Sequence, residues 1–324
     1  TTRLDGLAKG PTAYVGRVDT PPVTHRLYRG DPQAPREAVA PGALTILTGP
    51  PMAMNEPEQA RRLKLARWLV RPDNPLTPRV IANRLWHYHF GTGIVETPND
   101  FGFNGSRPSH PKLIDWLASQ LIAHEYRLKP LHRAIVLSAV YRQSTKFNTT
   151  AHKLDASNRL LWRRSPQRLE AEALRDTLLA VSGKLNTERG GPGFEDVTMA
   201  DNNGTTYYEP IDKEDERFYR RTVYRFWPRG NRSALLDTFD CPDPSAAAPR
   251  RAVTTTPLQA LSLLNNSFVL NLSEHFAARI QREVKNNEGA QVDRAYQLAY
   301  QRSPCLLYTS PSPRDGLLSR MPSS

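Results

Sequence analysis

Apolar side chains recur every three or four positions along most of the chain, and this spacing is typical of amphipathic helices. The repeats and their flanking prolines predict helices at about residues 57–71, 78–90, 110–126, 130–142 and 166–185. Further helical patterns begin at Pro257 and continue through about 267–284 and 291–302. We therefore expect a mainly α fold, a multi-helix globular domain with a small β element and long loops.

The central stretch, residues 74–102, is the densest run of aromatic, turn-forming and basic residues. Thr77 suits a helix N-cap, and Pro78 suits the first helical position, because the N–H that proline lacks would have no partner there. Gly91 and Gly93 are expected to end this helix. Nothing in the stretch specifies a reaction.

The longest helix is predicted at residues 166–185, with Ser165 as its cap and Pro166 in its first turn. Its acidic residues near the N-terminus suit the helix dipole without any catalytic role. His110 lies at the start of the helix predicted at 110–126.

Two regions carry the composition of β-strands. Residues 24–28 alternate like a short strand, and residues 29–32, Arg-Gly-Asp-Pro, form a turn signal. Residues 187–217 are polar and glycine-rich, which indicates a long surface loop or a small β excursion. Residues 205–208 and 221–227 have strand composition and are expected to pair as a small sheet.

Several motifs follow one another in order, namely Asn74-Pro-Leu, Asn83-Arg-Leu-Trp86, Phe90-Gly and Thr97-Pro-Asn-Asp-Phe-Gly102. Further motifs occupy residues 108–117, 131–133, 138–144, 167–176, 239–243 and 255–261. Together they resemble the signature of a planctomycete PSD-type domain over about residues 54–304. The resemblance implies a domain to which no activity is assigned.

Such domains occupy the C-terminal part of large secreted proteins, some of which carry cytochrome-c-like domains near their N-termini. The resemblance therefore implies an exported protein, periplasmic or extracellular, with haem held by other domains of the parent protein. Residues 1–53 are then the end of a preceding region or linker with short β segments. The first residue is Thr1 and no signal peptide is visible, which indicates either truncation or processing of the N-terminus. The resemblance favours truncation, because other domains precede the PSD-type domain.

Residues 305–324 are expected to be a translated sequencing adapter. Residues 305–315 and 319–324 correspond in frame to two parts of a transposase-type adapter, and residues 316–318 fill a gap of barcode size. The alternative is a genuine Ser/Pro-rich tail. On this interpretation the PSD-like domain is itself truncated near Pro304.

The chain is strongly basic, with a formal net charge of +12. The tail contributes a net of +1 through Arg314, Asp315 and Arg320, so the remainder carries about +11. A basic surface attracts polyanions such as nucleic acid, anionic membrane or acidic polysaccharide, although internal ion pairs also explain such a balance. No run approaches the roughly 18 apolar residues of a membrane span.

Cofactor signals are absent from the sequence. Cys241 is the one cysteine outside the tail, and no Cys-x-x-Cys-His motif exists to attach a c-type haem. His87 and His89 would diverge by about 200° on a helix, so they are not expected to chelate one metal ion. Phosphate-loop, dinucleotide and nucleophile-elbow patterns are also missing. We expect no metal and no cofactor in this chain.

Three loop carboxylates are candidate catalytic residues, Asp100, Asp240 and Asp243. A pair of them converging within about 5–10 Å would suit a glycosidase. Aspartate is also a common turn residue, so the alternative is that each caps a turn or pairs with an arginine.

Six residues are binding candidates. Arginine beside an aromatic ring suits sugars or bases, and three of the six, Arg84, His110 and Arg175, lie near a helix start or on a polar face, where they would neighbour the loop aspartates. They are Arg84, Trp86, His110, Arg175, Arg225 and Trp227. The alternative is an aromatic core on which arginines stack. Together with the larger exported parent protein that the resemblance implies, the sequence favours a non-catalytic or accessory module that binds anionic polysaccharide. A carbohydrate-active hydrolase using the loop aspartates is the second hypothesis, and nucleic-acid binding, which rests on charge alone, is the third.

Overall fold

The structure, a computed structural model, describes residues 16, 18–203, 205–211, 215–228 and 232–305. The predicted adapter-derived tail therefore lies outside the described residues, apart from Cys305. The chain divides into two compact units, Thr1–Pro166 and Gln167–Ser324, called unit 1 and unit 2 below. In the described residues helices dominate and the only sheets are two-stranded, which confirms the mainly α fold with a small β element.

Unit 1 contains one hairpin and five helices among its described residues. They are β1 (Thr24–Leu27), β2 (Pro35–Val39), α1 (Glu58–Leu69), α2 (Leu76–Phe90), α3 (Pro111–Ala123), α4 (Leu128–Leu137) and α5 (Thr149–Leu154). The strands β1 and β2 are antiparallel, with Thr24 opposite Val39, and a 3₁₀ turn at Tyr28–Gly30 lies between them. The short strand and the turn predicted at residues 24–32 are confirmed.

The core of unit 1 is formed where α2, α3 and α4 pack together. The apolar stripe of α3 buries Leu117 and Leu121, while Leu131 and Ile135 of α4 face the same cluster. These four side chains are at most 2 % exposed. Full burial of each contributes about 1.5–3 kcal/mol, so this three-helix contact is the main source of stability in the unit.

The start of α2 and the end of α4 differ from the prediction. Helix α2 begins at Leu76, so Thr77 lies inside it and is not its cap. The buried side chain of Asn74 takes over this role, because its Oδ1 accepts hydrogen bonds from the Leu76 and Thr77 N–H groups at 3.0 and 3.4 Å. Gly91 ends the helix as predicted, in the left-handed conformation with φ of 79°. Helix α4 ends at Leu137 and not at residue 142.

Unit 2 contains five helices and a second hairpin among its described residues. They are α6 (Ala171–Ser182), β3 (Val197–Asn202), β4 (Thr205–Pro210), α7 (Ala234–Thr238), α8 (Pro257–Asn265), α9 (Ser267–Glu283) and α10 (Glu288–Tyr300). The three C-terminal helices occur where the sequence predicts them. A capping box formed by Thr256 and Gln259 opens α8, and the side chain of Asn266 caps α9.

The prediction that the longest helix spans residues 166–185 is wrong. Helix α6 begins only at Ala171, and Glu170 has extended backbone angles. The segment before it is held by tertiary contacts, since the Arg168 guanidinium pairs with Asp240 and lies 5.3 Å from the ring centroid of Phe239. Helix α9, with 17 residues, is the longest in the described chain.

The second strand pair also differs from the prediction. Strand β4 pairs with β3, in register from Val197 opposite Pro210 to Asn202 opposite Thr205. Residues 221–227 do not form a strand but contain a 3₁₀ turn at Thr222–Tyr224. Their backbone groups bond to Phe194 and to a side chain of α6 instead. The Phe226 N–H donates to the Phe194 carbonyl oxygen at 2.8 Å, and the Thr222 N–H donates to Asp176 Oδ1 at 2.7 Å.

Two small apolar clusters hold unit 2 together. One joins α6, α7 and α9 through Leu236, Phe239 and Val269, and the other contains Leu179 and Leu272. In the described residues no helix combines the length and apolar character needed to cross a bilayer.

Candidate anion-binding cavity

A cavity of about 160 Å³ opens in unit 2 beside the N-terminus of α9. Its wall includes Arg175 from α6, Asp196 before β3, Phe218 and Arg225 from the segment after β4, and Phe268 from α9. A cavity of about 150 Å³ accommodates benzene, so this one is large enough for a single six-membered ring. The wall combines apolar rings with charged groups, which is the usual make-up of small-ligand sites.

Arg175 lies on the inner face of α6 and is 5 % exposed. Its Nη1 donates to the carbonyl oxygen of Arg220 at 3.1 Å and to Thr222 Oγ1 at 3.3 Å, and its Nη2 donates to the carbonyl oxygen of Phe218. The guanidinium therefore replaces the hydrogen bonds that an irregular segment lacks. Burial lowers the pKa of Arg175 to about 10, and nearby Asp196 and Asp176 oppose this shift. The side chain stays cationic at neutral pH.

Arg225 is the second buried cation of the cavity, at 6 % exposure. Its Nε donates to Asp196 Oδ2 at 2.7 Å, and its Nη1 donates to the carbonyl oxygen of Phe226 at 3.2 Å. The guanidinium carbon lies 5.0 Å from the ring centroid of Trp227. Asp196 Oδ1 is buried and has no hydrogen-bond partner among the described residues.

The N-terminus of α9 adds positive potential to the same wall. Asn266, Ser267 and Phe268 all line the cavity, and Asn266 Oδ1 accepts a hydrogen bond from the Val269 N–H at 3.4 Å. The first turn of a helix carries partial positive charge from its aligned peptide dipoles. A helix N-terminus beside two buried arginines is therefore well suited to an anion.

The described residues of the cavity wall carry an excess of one positive charge. Arg175 and Arg225 supply two cations and Asp196 one anion. The other charged side chains of the wall are paired with neighbours, Asp215 with Arg217 and Arg232 with Asp237. A ligand with one negative charge would neutralise the site.

The structure brings two of the six binding candidates, Arg175 and Arg225, to this cavity. Trp227 packs against the Arg225 guanidinium and is half-buried. The other three lie in unit 1, where Trp86 is buried and stacked on Phe90 with ring centroids 4.2 Å apart. Exposed Arg84 donates to Asn99 Oδ1 at 2.9 Å. His110 precedes α3, and its Nδ1 lies 3.0 Å from Ser109 Oγ.

The three candidate catalytic carboxylates all have local partners. Asp100 Oδ1 accepts a hydrogen bond from the Gly102 N–H at 2.8 Å, and Asp243 Oδ1 accepts one from the Ser245 N–H at 2.8 Å. Asp240 adopts a φ of 64° and accepts from both the N–H and the hydroxyl of Thr254. The Thr254 N–H and Arg168 lower the pKa of Asp240, and Ser245 lowers the pKa of Asp243, so both stay ionised. An ionised carboxylate is unsuited to serve as a general acid.

The thiol of Cys241 is not activated. Its Sγ lies 3.6 Å from Glu172 Oε1, and Glu172 is bound through both oxygens by Arg251. Burial and the neighbouring carboxylate raise the pKa of Cys241 to about 12. A thiol in this state carries almost no nucleophilic thiolate at neutral pH.

Asp196, Asn266 and Phe268 were not among the residues singled out from the sequence. Asn266 carries a readable signal, since an asparagine before an apolar helical run is a strong N-cap. No local sequence signal marks Asp196, because its partner Arg225 is 29 positions away in the chain.

The chain is a helical domain with an arginine-lined cavity in its second unit. Its residues 61–306, more than half of the chain, match the family PSD1, described as "Protein of unknown function (DUF1553)". The chain therefore belongs to this family, and the resemblance inferred from the ordered motifs is confirmed. No curated protein and no solved structure matches it.

Proposed function

We propose that unit 2 is a binding module that holds an anionic group of an acidic polysaccharide in its cavity. The observation that carries this proposal is the burial of two guanidinium groups, Arg175 and Arg225, in the wall of one ring-sized cavity. The helix N-terminus at Asn266 reinforces their positive potential. The overall net charge of +12 would favour the approach of a polyanion to this site.

The two arginines have different roles in this proposal. Arg175 donates its hydrogen bonds to main-chain carbonyl oxygens and a threonine hydroxyl, so it contributes mainly charge. Arg225 binds Asp196 through Nε and Phe226 through Nη1, which leaves Nη2 without a partner among the described residues. Arg225 is therefore the residue that would donate to the ligand. A hydrogen bond to a charged group contributes about 1.5–3 kcal/mol, so its loss should weaken binding by roughly 10–100-fold.

Calorimetric titration with oligogalacturonate, a sulfated oligosaccharide and a neutral oligosaccharide tests this proposal. We expect the two anionic ligands to bind and the neutral one to fail. Arg225→Gln should weaken binding, and Asn271→Phe should block the cavity without removing a charge. Arg250→Gln is the matched control, because Arg250 is exposed and removes the same charge elsewhere in unit 2.

Salt dependence separates the cavity from general charge attraction. Contacts between exposed charges are screened strongly between about 0.05 and 0.5 M salt, whereas buried pairs are screened much less. Equal loss of binding in Arg225→Gln and Arg250→Gln, or equal affinity for duplex DNA, would show attraction without a site and contradict the proposal.

We also propose that this chain is one module of a larger exported protein with haem domains elsewhere. The ordered PSD-type motifs described above support this proposal. Sequencing the source locus from intact genomic DNA tests it. An upstream signal peptide with Cys-x-x-Cys-His motifs, and a different sequence after about residue 304, are the expected results.

A further inference from the structure

We propose that the cavity selects a carboxylate sugar, a uronic acid with free hydroxyl groups, over inorganic sulfate and phosphate, and that Asp196 determines this specificity. This inference rests on the proposed function and names the chemistry of its ligand. Three properties of the cavity support it: the number of charges, the acceptor at Asp196 and the apolar part of the wall.

The charge at the cavity favours an anion with a single charge. Among the described residues of the wall, Arg175 and Arg225 are balanced in part by Asp196, which leaves one positive charge for the ligand. A uronate carboxylate supplies one negative charge. A phosphate monoester carries between one and two, and the second would face the Asp196 carboxylate. Like charges held close together in a partly buried site are unfavourable.

The acceptor at Asp196 favours a ligand that also donates hydrogen bonds. Asp196 Oδ2 is occupied by Arg225 Nε at 2.7 Å, but Oδ1 has no partner among the described residues. Asp196 lines the cavity and its side chain is 22 % exposed, so the carboxylate keeps acceptor capacity beside a bound ligand. A buried acceptor without a partner costs free energy, and a hydroxyl donor would remove that cost. An inorganic sulfate ion offers acceptors only and would leave Asp196 unsatisfied, whereas a ring hydroxyl of a uronic acid can donate to it.

The apolar part of the wall suits the ring of a sugar. Phe218 is 7 % exposed and Phe268 is half-buried, and both contribute to the cavity together with Leu272. Sugar rings carry an apolar C–H face beside their hydroxyl groups, so one ring can meet both kinds of wall. The cavity volume of about 160 Å³ matches one ring and not several. The cavity is therefore expected to hold a single uronic acid residue.

Competitive titration with four small probes tests the inference: galacturonate, cyclohexanecarboxylate, inorganic sulfate and inorganic phosphate. Galacturonate and cyclohexanecarboxylate share the carboxylate and the ring size but differ in hydroxyl groups. Wild type should bind galacturonate at least about tenfold more tightly than each of the other probes. Asp196→Asn should abolish this preference, since the amide nitrogen that replaces Oδ1 donates and does not accept.

The same variant should change affinity for sulfate in the opposite direction. Removing the negative charge of Asp196 raises the net charge of the cavity, so Asp196→Asn should bind sulfate and phosphate several-fold more tightly than wild type. Asp293→Asn is the matched control, because Asp293 is an exposed residue of α10. It should leave all four affinities unchanged. Thermal unfolding confirms that each variant is folded.

The outcomes separate the two proposals. Loss of galacturonate preference together with tighter sulfate binding in Asp196→Asn supports the inference. Sulfate binding to wild type as tightly as galacturonate, or a galacturonate preference that Asp196→Asn retains, overturns it while the anion site stands. Failure of all four probes and of the oligosaccharides to bind wild type overturns the proposed function itself.

Discussion

Asn83 and Val95 are joined by two hydrogen bonds that run in opposite directions. Asn83 Nδ2 donates to the Val95 carbonyl oxygen at 2.9 Å, and the Val95 N–H donates to Asn83 Oδ1 at 2.8 Å. Asn83 is fully buried in α2, and Val95 is 3 % exposed in the segment that follows the helix. The side-chain amide thus pairs with the backbone of Val95 as a neighbouring β-strand would. This pair fixes the path of the chain after Gly91.

Asn83→Ala should therefore destabilise the protein by about 2–4 kcal/mol. The substitution leaves the N–H and the carbonyl of Val95 buried without partners, and each such group costs about 1–3 kcal/mol. Asn99→Ala is the matched control, because Asn99 is exposed and bonds only to the exposed Arg84 among the described contacts. Chemical denaturation of the two variants measures the difference. Equal midpoints for Asn83→Ala and wild type would contradict this account.

The same pair explains the second glycine of the Gly-Thr-Gly turn. A Cβ atom on Gly93 would lie 2.5 Å from the Val95 carbonyl oxygen and 2.8 Å from both polar atoms of the Asn83 amide. Gly93→Ala should cost about 1–3 kcal/mol, since the crowded backbone must shift. Gly42→Ala has open space around its new methyl group, so its free energy of unfolding should stay within about 0.5 kcal/mol of the wild-type value. If Gly93→Ala left the free energy of unfolding unchanged, the backbone of the turn would be able to accommodate a methyl group, which would contradict this account.

The stability of unit 1 should depend on pH through His89. His89 Nε2 lies 2.8 Å from His132 Nδ1, and the His89 ring meets Tyr141 edge to face at 5.7 Å between centroids. Burial, His132 and Arg164 all lower the pKa of His89. The unfolded chain then binds more protons than the folded chain at mildly acidic pH. The contribution of neutral His89 to the free energy of unfolding is complete above the ordinary histidine pKa of about 6.5. It is lost as the pH falls below that pKa.

Thermal unfolding between pH 8 and pH 5 measures this effect. The unfolding temperature of wild type should fall across the range, and His89→Gln should fall less because the titrating group is gone. His25→Gln is the control, since His25 is exposed in the N-terminal hairpin. A variant at His89 with the same pH slope as wild type would exclude this histidine as the cause.

The two cysteines should differ sharply in reactivity. Burial raises the pKa of Cys241 to about 12, whereas Cys305 is exposed. In the native protein at pH 8, we expect alkylation of Cys305 within minutes and protection of Cys241. Denaturant should make both react at similar rates, because the protection comes from the folded environment. The single-cysteine variants Cys241→Ser and Cys305→Ser assign each signal, and rapid native labelling of Cys241 would contradict the buried thiol.

Local signals were sufficient to predict much of the helical framework. The C-terminal helices were predicted from Pro257 and the apolar repeats, and the structure adds the caps at Thr256 and Asn266. Gly91 likewise marks the end of α2 through its own conformational freedom. The start of α2 was nevertheless placed at Pro78 and not at Leu76, because the capping side chain of Asn74 was not recognised.

Long-range contacts account for the features that the pattern missed. Helix α6 starts late because Arg168 is engaged by Asp240, which lies 72 positions further along the chain. Residues 221–227 have strand composition, but Asp176 and Arg175 bind their segment from α6. The cavity itself joins residues from several distant segments. Arg175 and Arg225 were recognised as candidates by residue type, whereas their meeting at one cavity required the fold.

The hydrogen bonds of Arg175 also set an order of assembly for unit 2. Its guanidinium binds the carbonyl oxygens of Phe218 and Arg220, which lie 43 and 45 positions away in the chain. Closing so long a loop has an entropic cost that the hydrogen bonds of Arg175 must offset. Helices α6 and α9 form their own backbone hydrogen bonds between residues close in sequence, without that cost. The wall that carries Arg225 therefore docks onto helices that already exist. We expect this wall to form last during folding and to exchange its amide hydrogens first in the native protein.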